Sequence, residues 1–202
     1  MSDLATTLRT TAGRYISAFE TLDADLFASL QSPKEYRHTF GPASVNPPGP
    51  QDGAHFAQHI RDLQGIMRGF PVYAQSTWVN EPQRQVIVHA TSETWFRDEY
   101  KDSGDAEWLY HGEYIFFLDM DETGQKITKV FEFLDSKGTE VLRGLMKRAR
   151  ANEAKAKGRE TLYEAEDLCP MYAVQRRGFA QGKTCVDPYR YPHRALQQRL
   201  RV

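Results

Sequence analysis

After Pro71 the hydrophobic period of this chain switches from the three- and four-residue steps of helices to the extended pattern of strands, and it stays extended until Asp135. Within that stretch VYAQSTWV, QVIVHATSETWF, EWLYHGEYIFFLDM and KITKVFEFLDS are four β-rich runs, separated by Asn-Glu-Pro, by RDEYKDSGDA and by DETG. Strands joined by such short polar connections pair antiparallel, so a curved meander is expected. What precedes it is helical. Leu4, Leu8, Ala12, Tyr15, Phe19 and Leu22 form the stripe of a first amphipathic helix, and Asp23 offers a cap for a short second one through Leu26, Phe27 and Leu30. Asp52 caps a third through Phe56, Ile60, Leu63 and Met67, which Gly69 and Pro71 end. Between them YRHTFGPASVNPPGP reads as a loop or lid, because its prolines and glycines forbid regular structure over the second half. The expected fold class is therefore α+β, a curved antiparallel sheet packed against three helices. A last helix from Thr139 to about Lys157, with Val141, Leu142, Leu145 and Met146 on one side, ends near Gly158.

The domain is expected to fill residues 1–158. Residues 159–202 differ in kind, rich in Arg, Tyr, Pro and Gly without a sustained period. Tyr163, Tyr172, Phe179, Tyr189 and Tyr191 are too many aromatics for a solvated linker, so a C-terminal extension wrapping the domain or a partner subunit is expected.

Lys+Arg 26 against Asp+Glu 27 leaves a formal net charge of -1, which argues against nucleic acid or an anionic membrane as partner and for a small-molecule substrate. The opening MSDLATTLRTTAGRY has no export pattern and no stretch approaches the ~20 apolar residues of a bilayer span, so a soluble cytoplasmic protein is expected. The two cysteines, Cys169 and Cys185, read as reduced thiols in such a compartment, with a disulfide between them left open. There is no Cys-x-x-Cys and no Gly-rich phosphate loop, so neither a metal nor an organic cofactor is expected. His55 and His59 stand four apart on the third helix, but no glutamate accompanies them, and they read as surface histidines.

The chemistry concentrates on two strands. Trp108, Tyr110, Gly112, Tyr114 and Phe116 share one face, and two phenols beside a glycine suit a pocket wall better than a core, where each hydroxyl would need a buried partner. Glu132 lies between Phe131 and Phe133. Alternation allows the carboxylate to face a pocket, where it could serve as general base or acid, or the two phenylalanines to face inward and the glutamate to face solvent. Asp135 reads as a cap. Arg37 and His38 precede the proline-rich loop, where a guanidinium could bind an oxyanion, while His38 alone reads more simply as a surface residue. His89 and Trp95 share a strand face and are candidates to line a cavity, or to pack as core residues.

The helix pair LRTTAGRYISAFETLDADLFASL, the segment YRHTFGPAS, the hairpin GEYIFFLDMDETGQKI and the strand VFEFLDS, in that order, resemble the SnoaL-like branch of the nuclear transport factor 2-like superfamily over roughly Leu4 to Arg150. The resemblance implies a cone-shaped sheet around a deep pocket and, in the fungal branch, cofactor-free isomerases, cyclases and a semipinacol-type rearrangement catalyst of indole alkaloid pathways. In those enzymes an arginine after the second helix, two strand tyrosines and a glutamate on the last strand form the polar part of the pocket. Here the matching residues are Arg37, Tyr110, Tyr114 and Glu132, with His38, His89, Trp95, Trp108 and Phe116 expected to contact substrate. A homodimer is also expected. The alternatives are a dehydratase, which would use a histidine and carboxylate pair with His89 or His111 as the histidine, and a non-catalytic binding or dimerisation module.

Overall fold

A computed structural model describes residues 2–158; the expected extension, with Cys169 and Cys185, lies outside the described residues. Helix α1 (Asp3–Ser17) begins where the Ser2 hydroxyl accepts the Ala5 N–H, and it buries Leu8, Ala12, Tyr15 and Ile16. It stops short of the predicted Leu22. Asp23 N–H bonds back to the Ala18 carbonyl at 2.8 Å and Leu22 takes a left-handed φ of 58°, so the chain reverses and Phe19 and Leu22 pack from a turn. Helix α2 (Ala24–Leu30) is capped by Asp23, whose carboxylate accepts Leu26 N–H at 2.8 Å. Helix α3 (Gly53–Gln64) is capped in the same way by Asp52 at His55 N–H, 2.9 Å.

Three expectations about strands need correction. Trp108 and Tyr110, read as strand residues, precede the strand that starts at His111, and Trp108 ends the 3-10 turn Asp105–Trp108. Arg37–Gly41, read as the start of a loop, is strand β1, and Met67, read as the end of α3, lies in strand β2 (Met67–Gly69). The remaining strands are β3 (Val72–Asn80), β4 (Gln85–Glu93), β5 (Trp95–Phe96), β6 (His111–Met120) and β7 (Ile127–Leu134). The main sheet has five strands in the order β1-β7-β6-β4-β3. Its β3–β4, β4–β6 and β6–β7 pairs are antiparallel as expected, but β1 joins β7 in parallel, placing Phe40 opposite Glu132, so the sheet is mixed. After Glu93 the chain leaves this sheet, and β5 pairs with β2 in a separate two-stranded one.

Alternation sorts the side chains of the large sheet into an inner and an outer face. Val86, Val88, Ala90, Gly112, Phe116, Leu118 and Val130 point inward and are buried under the helices. The inner layer is strongly aromatic. Tyr15, Phe19, Phe27 and Phe56 meet edge to face with centroids 4.7–5.6 Å apart, the arrangement that ring quadrupoles favour. Helix α4 (Ser136–Ala156) closes the fold. Asp135 caps it by accepting Lys137 and Gly138 N–H, three residues ahead of the predicted start, and Met146 and Ala149 are buried while Val141, expected on the packed side, is half exposed. Among the described residues no helix is long and apolar enough to cross a membrane.

Candidate active site

The polar side chains of the inner face gather where β1, β7 and β6 run side by side. On β7, Val130, Glu132 and Leu134 turn inward, so Phe131 and Phe133 turn out and the carboxylate is buried. The parallel partner brings His38 beside it, with Nε2 3.0 Å from Glu132 Oε2. His38 has no solvent exposure and stacks on Phe40, centroids 4.3 Å apart, with Phe56 at 4.4 Å. Its Nδ1 lies 3.2 Å from the Tyr36 hydroxyl and 3.5 Å from that of Tyr15. With an ionised carboxylate, which can only accept, and a neutral imidazole, these partners fit one tautomer, in which Nε2–H donates to Glu132 and Nδ1 accepts from a phenol. Burial pushes the Tyr36 and Tyr15 phenols well above their ordinary range, which keeps both protonated as donors.

A second cluster sits on β6 and its approach. Tyr110 and Tyr114 are four residues apart, yet their hydroxyls are 2.8 Å apart, and Ser92 Oγ donates to Tyr114 at 3.3 Å. The phenols converge because the residue between them is Gly112. A Cβ there would stand 2.6 Å from the Tyr114 hydroxyl and nearer still to that of Tyr110. Burial raises both phenols, Tyr110 to about 12.

Between sheet and helices lies a cavity with about 710 Å³ of atom-free space, counting its mouth. Phe19, Phe40, Phe56, Leu63, Phe70 and Met146 make most of its wall apolar. Glu132 and Tyr114 enter from the sheet, and His59, Thr139 and Arg143 from α3 and α4. The Arg143 guanidinium also donates to the Val45 carbonyl, tying α4 to the 3-10 turn Ala43–Val45 that follows β1.

No protein-family model matches the chain. Over 133 residues it is 28% identical to the austinoid biosynthesis cluster protein H of Aspergillus calidoustus, a match covering 64% of this chain and 83% of that protein. The BvnE pinacolase of Penicillium brevicompactum superposes with a TM-score of 0.62 at 23% identity, covering 75% of this chain and 96% of BvnE. A protein from Jannaschia sp. CCS1 described as a SnoaL-like polyketide cyclase superposes with a TM-score of 0.53 at 12% identity, covering 69% and 93%. The chain shares the α+β cone fold of these structures.

Within this cone the expected residues separate into three groups. Glu132 and Tyr114 line the cavity, Tyr110 touches it through Tyr114, and His38 through Glu132. Phe116 is buried beneath Tyr114, stacked at 5.8 Å, and Trp108 faces inward but packs on Phe96 with Arg148 over its ring, away from the cavity wall. Arg37, His89 and Trp95 do not reach the cavity. Alternation on β1 that buries His38 turns Arg37 outward, so the cavity's arginine is Arg143. His89 lies on the outer face, its Nε2 2.6 Å from Glu113 Oε1, and Trp95 is largely exposed beside Gly69 on the small sheet. His111 is exposed as well.

Five residues at or beside the cavity carry no clear signal in the sequence. Tyr36 alternates with His38 and Phe40, a strand pattern masked by the prolines that follow. Tyr15 falls on the apolar stripe of α1, and Thr139 and Arg143 lie on a helix whose apolar side dominates its pattern. His59, read as a surface residue, is buried: it stands three after Phe56 and four before Leu63, on the packed stripe itself.

Proposed function

We propose that this chain is a cofactor-independent isomerase or cyclase acting on a hydrophobic, carbonyl-bearing intermediate of secondary metabolism. One observation carries the reading: Glu132 is buried at the wall of an apolar cavity, held by His38 on one side, with the Tyr114 phenol on the same sheet face. Its similarity to an austinoid cluster protein and the cone it shares with a pinacolase support a biosynthetic role.

In this reading Glu132 removes a proton from the carbon next to the carbonyl. The C–H pair becomes a C=C bond, the carbonyl π pair moves onto oxygen, and Tyr114 O–H donates to that oxygen. Tyr114 can do so only when the hydrogen it shares with Tyr110 comes from Tyr110. The Tyr114 oxygen then accepts from both Tyr110 and Ser92, which strengthens its own donation. Where a β,γ double bond extends the enolate, return of the proton from Glu132 to the γ carbon re-forms the carbonyl, moves the double bond and completes an isomerisation; attack of the enolate carbon on a second carbonyl of the same molecule closes a ring, the π pair of that carbonyl moving onto its oxygen, which takes the proton back from Glu132. The apolar walls hold a flexible substrate in the folded shape that ring closure requires.

The test adds purified protein to crude pathway extracts and follows the product ratio. Glu132→Gln should lower turnover about 10²- to 10⁴-fold, the usual contribution of a positioned acid or base. Full activity in that variant would remove Glu132 as the proton-transfer group, and an unchanged product ratio with the native protein would favour a carrier. A second reading, a dehydratase, draws on the buried His38–Glu132 pair, with His38 in the place expected for His89 or His111. Mass spectrometry separates the two: an isomerase or cyclase yields a product of the substrate's mass, a dehydratase one lighter by a water.

A further inference from the structure

His59 is a buried imidazole that the chemistry above does not use. It lines the cavity from α3, and its Nδ1 has no hydrogen-bond partner among the described residues. A polar atom sealed away without a partner costs roughly 1–3 kcal/mol, a cost that a ligand bringing the missing partner would remove. The Phe56 ring packs against both imidazoles, with centroids 4.4 Å from His38 and 6.5 Å from His59, so the second imidazole is set apart from the carboxylate by an aromatic side chain. Burial pushes His59 down to about 3, with His38 and Arg150 also opposing its charge. Near neutral pH it is therefore an uncharged ring with one donor and one acceptor, suited to a hydroxyl or a carbonyl and not to a carboxylate.

We propose that His59 hydrogen-bonds a second, uncharged oxygen function of the substrate, so that the site selects hydrophobic molecules with two oxygen groups over simple monoketones. Glu132 and Tyr114 handle the reacting carbonyl from the sheet, and His59 holds the second oxygen from the helical wall. This assignment rests on the cavity being the substrate site, as proposed above. It makes His59 a specificity-determining contact rather than a proton carrier.

The experiment uses two probes of one carbon skeleton, β-ionone with a single carbonyl and 4-oxo-β-ionone with two, titrated into the full chain by tryptophan fluorescence and by histidine side-chain ¹⁵N spectra. The dione should bind about tenfold more tightly, the worth of one hydrogen bond to a buried group, and shift the His59 ring nitrogens. In His59→Leu that preference should vanish, the ratio of the two affinities falling to about one, and His59→Gln, which keeps a donor and an acceptor, should retain part of it. Circular dichroism melts confirm that each variant is folded. Equal affinities in the native protein, or a dione preference that survives His59→Leu, would overturn the proposal and assign the imidazole to an internal water. Failure of both probes to bind would instead remove the cavity reading itself, and this assignment with it.

Discussion

Gly112→Ala is the sharpest test of how the phenol pair is built. The added methyl would meet Tyr110 Cζ at 2.7 Å and the Tyr114 hydroxyl at 2.6 Å, and both rings are buried. Real Cβ contacts do not occur at such distances, so the two phenols must part and their 2.8 Å hydrogen bond breaks. Overpacking of this kind costs about 1–3 kcal/mol and the lost bond about 1 kcal/mol, while replacing a strand glycine returns about 0.5–1 kcal/mol of backbone entropy. The net loss is about 2 kcal/mol, or a fall of about 4–8 °C in Tm for a domain of this size. Urea denaturation followed by tryptophan fluorescence measures it, and ultraviolet titration of the tyrosines reads the phenol pair directly. Gly144→Ala is the control: that glycine lies in α4, where the new methyl would meet nothing among the described residues within 4 Å beyond its chain neighbours and the helix's own backbone, and the change should stabilise by about 0.5–1 kcal/mol. If Gly112→Ala proves as stable as the native chain and leaves tyrosine titration unaltered, the convergence of the two rings over Gly112 is wrong.

Acid should destabilise the protein through His59. Above pH 6.5 the imidazole is neutral folded or unfolded; below it only the unfolded chain takes up the proton, until the folded value of about 3 is reached. Stability should thus decline as pH falls from 6.5 towards 3, by about 2 kcal/mol at pH 5, and His59→Leu should flatten that part of the pH profile in denaturant titrations. Phe27→Ala should cost about 3–5 kcal/mol by the same assay, because Phe27 is fully buried and its ring meets those of Tyr15, Phe19 and Phe56. Asp135→Ala should cost about 1 kcal/mol and raise amide exchange in the first turn of α4, since the carboxylate caps Lys137 and Gly138 there.

Where local chemistry decides structure, the sequence is readable. Asp23, Asp52 and Asp135 all cap the helices they are expected to start, and the three antiparallel pairings follow from the runs after Pro71. Where tertiary context decides, it is not. The side taken by Glu132 cannot be read from alternation alone because the outer face carries its own aromatics, Phe117, Phe131 and Phe133, so both faces of β7 look apolar. Strand β1 has only five residues and no hairpin partner; its pairing comes from β7, far along the chain, and the prolines that follow mask its short alternation. Missing that one strand hides Tyr36, leaves His38 without its carboxylate partner and lets Arg37 stand where Arg143 lines the cavity.

The same strand has a consequence for how the protein folds and fails. His38 and Glu132 are 94 residues apart in sequence, so their pairing requires closing one of the longest loops in the domain and belongs to the slow, non-local part of folding. Strand β1 also lies at the margin of the large sheet: β7 holds one side of it, and on the other Gln51 exchanges two backbone hydrogen bonds with His38, both 2.8 Å. Peeling it away would disconnect the histidine from the carboxylate while the four-strand meander stays intact, so a local opening at this edge would dismantle the pair without unfolding the domain.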